Sequence, residues 1–366
     1  MIKVLVVDDS ALARKLFRGV LATESDMEVR LARNGLEALE QLESFRPDVI
    51  TLDVHMPGMN GLECLDRIMV ERPCPVVMVS TLTAEGADAT LAALRLGAVD
   101  FVPKPEGTVS LRMAQFAPTL IQKVRAAASA KLRASQRLRE KVQHRIGGAA
   151  AARHIPLATA ARGVASSAAK GQGLVVVGTS TGGPPALEAL LSALPASFPW
   201  PIVVAQHMPA SFTGALAGRL DGICAIRVLE VVRPTILQPG CAYIARGDAD
   251  LIIARRAAGL VAMAAPAQAD YPWHPSTDRL VRSAMEHVPA SQLIGVLMTG
   301  MGNDGAEAMA LLHAKGGKTI AEAEETAVVW GMPGELVKAG GADFVLPLPN
   351  IADRLQRLTP SHAAHP

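Results

Sequence analysis

Two sets of residues in this chain have the types and spacing to do chemistry. In the first, Asp8 and Asp9 close the apolar run IKVLVV, Asp53 closes VITL, Ser80 closes PVVMV and Lys104 follows AVDFV. Clustered carboxylates repel one another unless a hard cation such as Mg²⁺ bridges them. A lysine and a hydroxyl nearby supply the charge neutralisation and hydrogen bond that a phosphoryl group needs. In the second set, Ser180 lies in VVVGTSTGGP, His207 follows PIVVAQ and Asp304 lies in MTGMGNDG. A serine hydroxyl needs a base to become a nucleophile, and a carboxylate fixes that base's tautomer and stabilises the imidazolium. The GTSTG spacing fits a nucleophile elbow, and Gly/Thr-rich turns also cradle phosphates, but neither GxGxxG nor GxxxxGK[ST] is present there. Taken singly, such a serine caps a helix, such a histidine is structural and an Asp in NDG forms a turn. Three of them at strand ends in one unit favour a triad, although the order Ser, His, Asp is not the Ser, Asp, His of α/β-hydrolases.

The elements that must position these groups alternate along the chain. Up to about Leu120, IKVLVV, MEVRLA, VITLDV, PVVMVS and AVDFV alternate with helical patterns, which predicts five strand–helix units in a parallel, doubly wound sheet. In such a sheet the carboxyl ends of the strands flank the ligand crevice, so Asp8, Asp9 and Asp53 should converge there. From Leu174 the alternation resumes: LVVVG, a helix after Pro184, PIVVAQ, a helix near 211–219, AYIA, DLIIA, a helix near 276–288, LIGVLM, a helix from Gly302, KTIAEA and a final helix after Met332. The reading is a second α/β domain with a mostly parallel core. The predicted organisation is therefore 1–122, a basic Ala-rich linker over 123–170 whose first part, RAAASAKLRASQRLREKV, is helix-prone, a second domain over 171–359 and a tail over 360–366.

At 366 residues the chain is long for one compact domain and sufficient for two. No uninterrupted apolar run approaches the roughly 18 residues of a membrane span, and the start, MIKVLVVDDSALARK, reads as a strand rather than a signal peptide. A cytoplasmic protein without membrane insertion is expected. Cys64, Cys74, Cys224 and Cys241 show no CxxC spacing and read as buried thiols. Net charge is +2, but Lys123 to Lys170 holds eleven Lys/Arg and one acid, Glu140, leaving 25 basic against 33 acidic residues elsewhere. Such a stretch can attract nucleic acid or an acidic partner, but a solvated linker is the commoner explanation.

Residues 1–120, with DDS, LDVHMPGMNGLE, MVST and KP, resemble a response-regulator receiver domain of the five-stranded flavodoxin-like class. The resemblance implies Asp53 as phosphoacceptor, Mg²⁺ held by Asp9, Asp53 and the His55 backbone carbonyl with Asp8 acting through water, Ser80 and Lys104 on the phosphoryl oxygens, and Phe101 at the switch position. Residues from about Leu174 to Leu358 resemble the catalytic domain of chemotaxis protein-glutamate methylesterases, the CheB family, in GTSTGGP, QHMPxxFT, LQPGxAYIAxGD, LMTGMGNDGAEAM and WGMPGELVKAGGAD. That resemblance implies Ser180 as nucleophile, His207 as general base and then acid, and Asp304 as its orienter. The backbone amides of Thr181 and Met301 would form the oxyanion hole. It further implies a carboxylic ester hydrolase that removes γ-glutamyl methyl esters from cytoplasmic chemoreceptor helices, with glutamine deamidation as a second activity and no cofactor at that step. The implied partners are methyl-accepting receptors and the chemotaxis histidine kinase, with phosphorylation relieving a block by the receiver and giving sensory adaptation.

The pattern departs from that family in three places: Trp273-His-Pro-Ser-Thr-Asp278 where HRPSVD is usual, VVRPTI before LQPG, and Arg246 where a proline is common. These bear on substrate choice rather than chemistry, and His274 reads as a substrate-rim or surface residue. A DNA-binding output is disfavoured because the second half has too many strands for a compact helix-turn-helix unit, so no nucleic acid is expected. An idle receptor-binding scaffold and an esterase for small acyl substrates are the other rivals.

Overall fold

The computed structural model describes residues 1–104, 109–132 and 173–359. Five parallel strands, β1 (Ile2–Val7), β2 (Met27–Ala32), β3 (Val49–Asp53), β4 (Val76–Ser80) and β5 (Asp100–Pro103), form one sheet in the order β2-β1-β3-β4-β5. The helices between them are α1 (Ala11–Leu21), α2 (Gly35–Ser44), α3 (Gly61–Glu71) and α4 (Ala84–Leu96), with α5 (Val109–Ala128) following β5. Their starts are written in the sequence: Ser10, Asn34, Asn60 and Thr83 each accept a backbone N–H of the first turn, and Asn60 with Glu63 completes a capping box. Strand order reverses beside β1, which brings the ends of β1 and β3 together at the expected switch point.

The second unit contains β6 (Leu174–Thr179), α6 (Gly183–Ser192), β7 (Ile202–Gln206), α7 (Ala210–Ile223), β8 (Arg227–Val231), β9 (Thr235–Ile236), β10 (Cys241–Ala245), β11 (Asp250–Arg256) and β12 (Gly259–Ala265). It continues through α8 (Thr277–His287), β13 (Leu293–Leu297), α9 (Ala306–Ala314), β14 (Lys318–Glu322), α10 (Met332–Lys338), β15 (Phe344–Leu346) and α11 (Leu348–Leu358). A seven-stranded, wholly parallel sheet runs β15-β14-β13-β6-β7-β10-β8, and β11-β12-β9 make a small antiparallel sheet beside it. The inner strands are buried on both faces, as their unbroken Val/Ile runs require.

Several element boundaries differ from those read off the sequence. The helix expected from Gly302 begins at Ala306, because Gly302 and Gly305 take φ of 77° and 87° and keep 302–305 in a turn. The final helix expected after Met332 is two helices: α10 stops at Lys338, Gly340 turns at φ 66°, and β15 joins the sheet edge before α11. Helix α5 stops at Ala128, so the expected extension of that helix holds no further over 129–132; the linker beyond 132 and the tail at 360–366 lie outside the described residues.

The two units touch. Helix α4 lies against α6 and α7, with Leu91 and Leu94 in the same buried apolar cluster as Leu216 and Leu220. The Phe101 ring meets that of Phe212 at 4.4 Å, Lys131 pairs with Glu324 at 3.0 Å, and the Thr181 hydroxyl donates to the Asp100 carboxylate.

Candidate active site and phosphoacceptor pocket

Strands β6 and β7 pair in a register that sets Thr179 opposite Gln206, so the next residues, Ser180 and His207, leave the sheet side by side. Three hydrogen bonds lock that exit. The His207 amide donates to the Thr179 carbonyl at 3.0 Å, and the Gln206 side-chain amide donates to both the Ser180 and the His207 carbonyls at 3.0 Å. Gly183 closes the turn; a Cβ there would run into the Gln206 amide oxygen. Ser180 is half-buried, and its hydroxyl makes no hydrogen bond among the described residues.

The imidazole of His207 is 10% exposed; Nε2 lies 2.7 Å from Asp304 Oδ2, and Nδ1 is buried without a partner. Asp304 is seated on the N-terminus of α8. Its Oδ2 also accepts the Thr277 amide at 2.6 Å, and its Oδ1 accepts the Ser276 hydroxyl at 2.9 Å and the Asp278 amide at 3.0 Å. Burial alone would raise this carboxyl, but the hydrogen bond and charge of His207 and the two amides outweigh burial and hold it below the usual carboxylate value. It therefore stays ionised beside the imidazole, which is the state that orients a base.

The loop after β13 clasps the serine turn. The Ser180 amide donates to the Thr299 carbonyl at 3.0 Å, and the Thr299 hydroxyl donates to the Thr181 carbonyl at 2.9 Å. Gly300 comes so close that a Cβ would lie 2.9 Å from the Ser180 Cβ. The amides of Thr181 and Met301, one on each loop, donate to no backbone carbonyl among the described residues.

In the other unit, one oxygen from each of Asp8, Asp9 and Asp53 lies within 4.8 Å of the others. Lys104 Nζ donates to Asp53 Oδ2 at 2.7 Å and lies 3.0 Å from Asp8 Oδ2, giving that buried oxygen a charge partner but no hydrogen bond. Burial, opposed by Lys104 and aided by the charge of Asp8, raises Asp53 above its ordinary value. The unsatisfied Asp8 oxygen and an all-oxygen donor set fit a hard divalent cation such as Mg²⁺. Ser80 is fully buried, and its hydroxyl donates to the Gly86 carbonyl at 3.1 Å, away from Asp53. The His55 amide donates to Asp53 Oδ1 at 3.3 Å, while the Phe101 ring, 3% exposed, faces the other unit.

Sequence reasoning missed several residues. Gln206 was legible only as the end of an apolar strand, although a glutamine closing a buried run beside a candidate base is itself a signal. Ser276, Thr277 and Asp278 lie some 26 to 28 positions from Asp304 in the chain and nothing linear ties them to it. His274, read as rim or surface, is partly exposed and also donates from Nδ1 to the buried Asp250 at 2.9 Å. Gln206→Leu is expected to lower stability by about 1–3 kcal/mol, since it strips two carbonyls and the Thr179 hydroxyl of partners in a buried site. Urea unfolding checks this, and an unchanged midpoint would refute it.

Comparison with known proteins follows the same division. Residues 4–115 match the response regulator receiver domain model, and residues 175–355 match the CheB methylesterase model. A protein-glutamate methylesterase/protein-glutamine glutaminase 2 of Rhodopseudomonas palustris is 58% identical over 96% of this chain and 96% of its own length. A protein-glutamate methylesterase/protein-glutamine glutaminase 3 of Rhodospirillum rubrum is 51% identical over 97% of this chain and 95% of its own. The crystal structure of the Thermotoga maritima CheB methylesterase catalytic domain aligns at a TM-score of 0.50 and 38% identity, covering 51% of this chain and 99% of that one. Among the described residues no helix is long and apolar enough to cross a membrane.

Proposed function

The chain belongs to the protein-glutamate methylesterase/protein-glutamine glutaminase family, and from that premise we propose that it hydrolyses γ-glutamyl methyl esters on the cytoplasmic helices of chemoreceptors. The observation that carries the reading is the buried His207–Asp304 pair, with Nδ1 left without a partner on a residue that leaves the sheet beside Ser180.

His207 takes the proton of the Ser180 hydroxyl as the oxygen attacks the ester carbonyl. The negative charge that develops on the carbonyl oxygen is met by the Thr181 and Met301 amides, preorganised donors of the kind that usually make the largest electrostatic contribution. The tetrahedral intermediate collapses as His207 returns the proton to the methoxy oxygen, and methanol leaves. Water, deprotonated by the same imidazole, then cleaves the acyl-serine to glutamate and free Ser180. Replacing methoxide by an amide nitrogen gives glutamine deamidation with ammonia leaving, by the same groups. Asp304 stays ionised throughout and stabilises the imidazolium.

The receiver supplies the control. Asp53 accepts a phosphoryl group from the chemotaxis histidine kinase; Asp9, Asp53 and the His55 carbonyl would hold Mg²⁺ there, with Asp8 acting on it indirectly. When bound, that cation neutralises charge between acceptor and phosphodonor. Lys104 and Ser80 then hold the phosphoryl oxygens, and Phe101 carries the change to the interface with the catalytic unit. The domains act as receiver (1–122), linker (123–170), catalytic unit (171–359) and tail (360–366), in the cytoplasm, where both receptor tails and kinase are reached.

The deciding assay is methanol release from methylated receptor by the purified chain, with and without acetyl phosphate and Mg²⁺. Release that rises with phosphodonor is expected, and absence of release in both conditions would sink the reading.

A further inference from the structure

We propose that Ser276 is a positioning residue for the Asp304–His207 pair, held in register by the buried carboxylate of Asp250. The inference rests on the triad reading above. Ser276 is 1% exposed; its hydroxyl lies 2.9 Å from Asp304 Oδ1 and 3.3 Å from the Arg279 amide. The amide can only donate, so the single hydroxyl proton must point at Asp304, whose ionised carboxylate can only accept. Ser276 is thereby the one side chain besides His207 that hydrogen-bonds Asp304 among the described residues; the other two donors are backbone amides.

Asp250 explains why the hydroxyl stays there. Its side chain is fully buried; Oδ1 accepts the Ser276 amide at 2.8 Å and His274 Nδ1 at 2.9 Å, and Oδ2 accepts Arg279 Nη1 at 2.6 Å. Those bonds fix both ends of the strap 274–279. Immediately before the strap stands Trp273, whose indole lies parallel to the His207 imidazole within 2°, ring centres 6.1 Å apart. One buried carboxylate thus sets the hydroxyl behind Asp304 and the flat wall beside the base.

A simpler role for Ser276 is to cap α8, and the two roles separate by experiment. The charged groups around Asp304 are His207 and Asp278, with Asp250, His274 and Arg279 behind Ser276. Removing one donor concentrates negative charge on Asp304, which then favours the imidazolium over the neutral ring of His207. Glycine is tolerated at a helix N-cap and alanine is not, so a capping role predicts that Ser276→Gly resembles the parent while Ser276→Ala does not. A positioning role predicts that both behave alike. The experiment follows the His207 ring by NMR titration in the full chain, alongside kcat and KM on methylated receptor. In both variants the His207 resonances should change their pH profile relative to the parent in the same sense, and kcat should fall roughly tenfold with KM unchanged. A titration unmoved in both variants, or a loss confined to Ser276→Ala, overturns the proposal. Because the titration needs no turnover, a parent chain that releases no methanol would refute the esterase reading while leaving this one to stand or fall on the His207 shift.

Discussion

Ser180→Ala is expected to release methanol from methylated receptor at least about 10⁴-fold more slowly than the parent, the scale on which removal of a nucleophile from a Ser-His-Asp unit is felt. Each tenfold is about 1.4 kcal/mol of barrier, so the hydroxyl is being asked for more than 5 kcal/mol by that arithmetic. Among the described residues the neighbouring hydroxyls are all committed elsewhere. The Thr179 hydroxyl is committed to Gln206 at 2.6 Å, the Thr181 hydroxyl to Asp100, and the Thr299 hydroxyl to the Thr181 carbonyl at 2.9 Å. The substitution should leave the fold intact, because the turn is held by backbone and by Gln206 rather than by the serine side chain. Receptor binding should therefore survive while turnover disappears, and a fluorophosphonate should label the parent but not the variant. Methanol release persisting in Ser180→Ala would remove the nucleophile assignment, and loss of receptor binding along with turnover would point instead to collapse of the turn.

What could be read beforehand followed from which groups the sheet brings together within one unit. Ser180 and His207 were legible because each ends an apolar run, and adjacent parallel strands in register carry their end residues to the same place. Asp8 and Asp53 were legible for the same reason at the reversal of strand order beside β1. Asp304 could be named from its motif, but not the cradle that fixes it: Ser276, Thr277 and Asp278 arrive from another helix through contacts that no periodicity encodes. The turn at 302–305 was misread as helix because apolar patterning does not report that Gly302 and Gly305 adopt positive φ. Least legible was the contact between units. Phe101 could be assigned to a switch position, whereas its packing on Phe212 depends on how two separately folded sheets meet.

That contact carries the second large prediction. The parent should be activated by acetyl phosphate and Mg²⁺, Asp53→Asn should not respond, and chelating Mg²⁺ should remove the response while leaving the basal rate. In the receiver Lys104 is shared between Asp53 and Asp8, and the Ser80 hydroxyl donates to the Gly86 carbonyl. A phosphoryl group adds roughly −1.5 to −2 charge and three acceptors, enough to draw Lys104 and Ser80 to itself. Ser80 pairs with Pro103 in the sheet, two residues from Phe101 and three from Asp100. Asp100 reaches the serine turn directly, since it takes the hydroxyl of Thr181, the residue after Ser180, and Lys123 at 2.7 Å fixes its other oxygen. A hydrogen bond to a charged group is worth about 1.5–3 kcal/mol net, so Asp100→Ala should raise the rate without phosphodonor by roughly ten- to a hundredfold. If the contact lies downstream of phosphorylation, Asp53→Asn combined with Asp100→Ala should keep that raised basal rate and still ignore phosphodonor. An Asp100→Ala chain with the parent's basal rate would mean that the Phe101–Phe212 and α4–α7 packing holds the units closed without help from the Thr181 bond, and the block would then have to be sought in those apolar contacts.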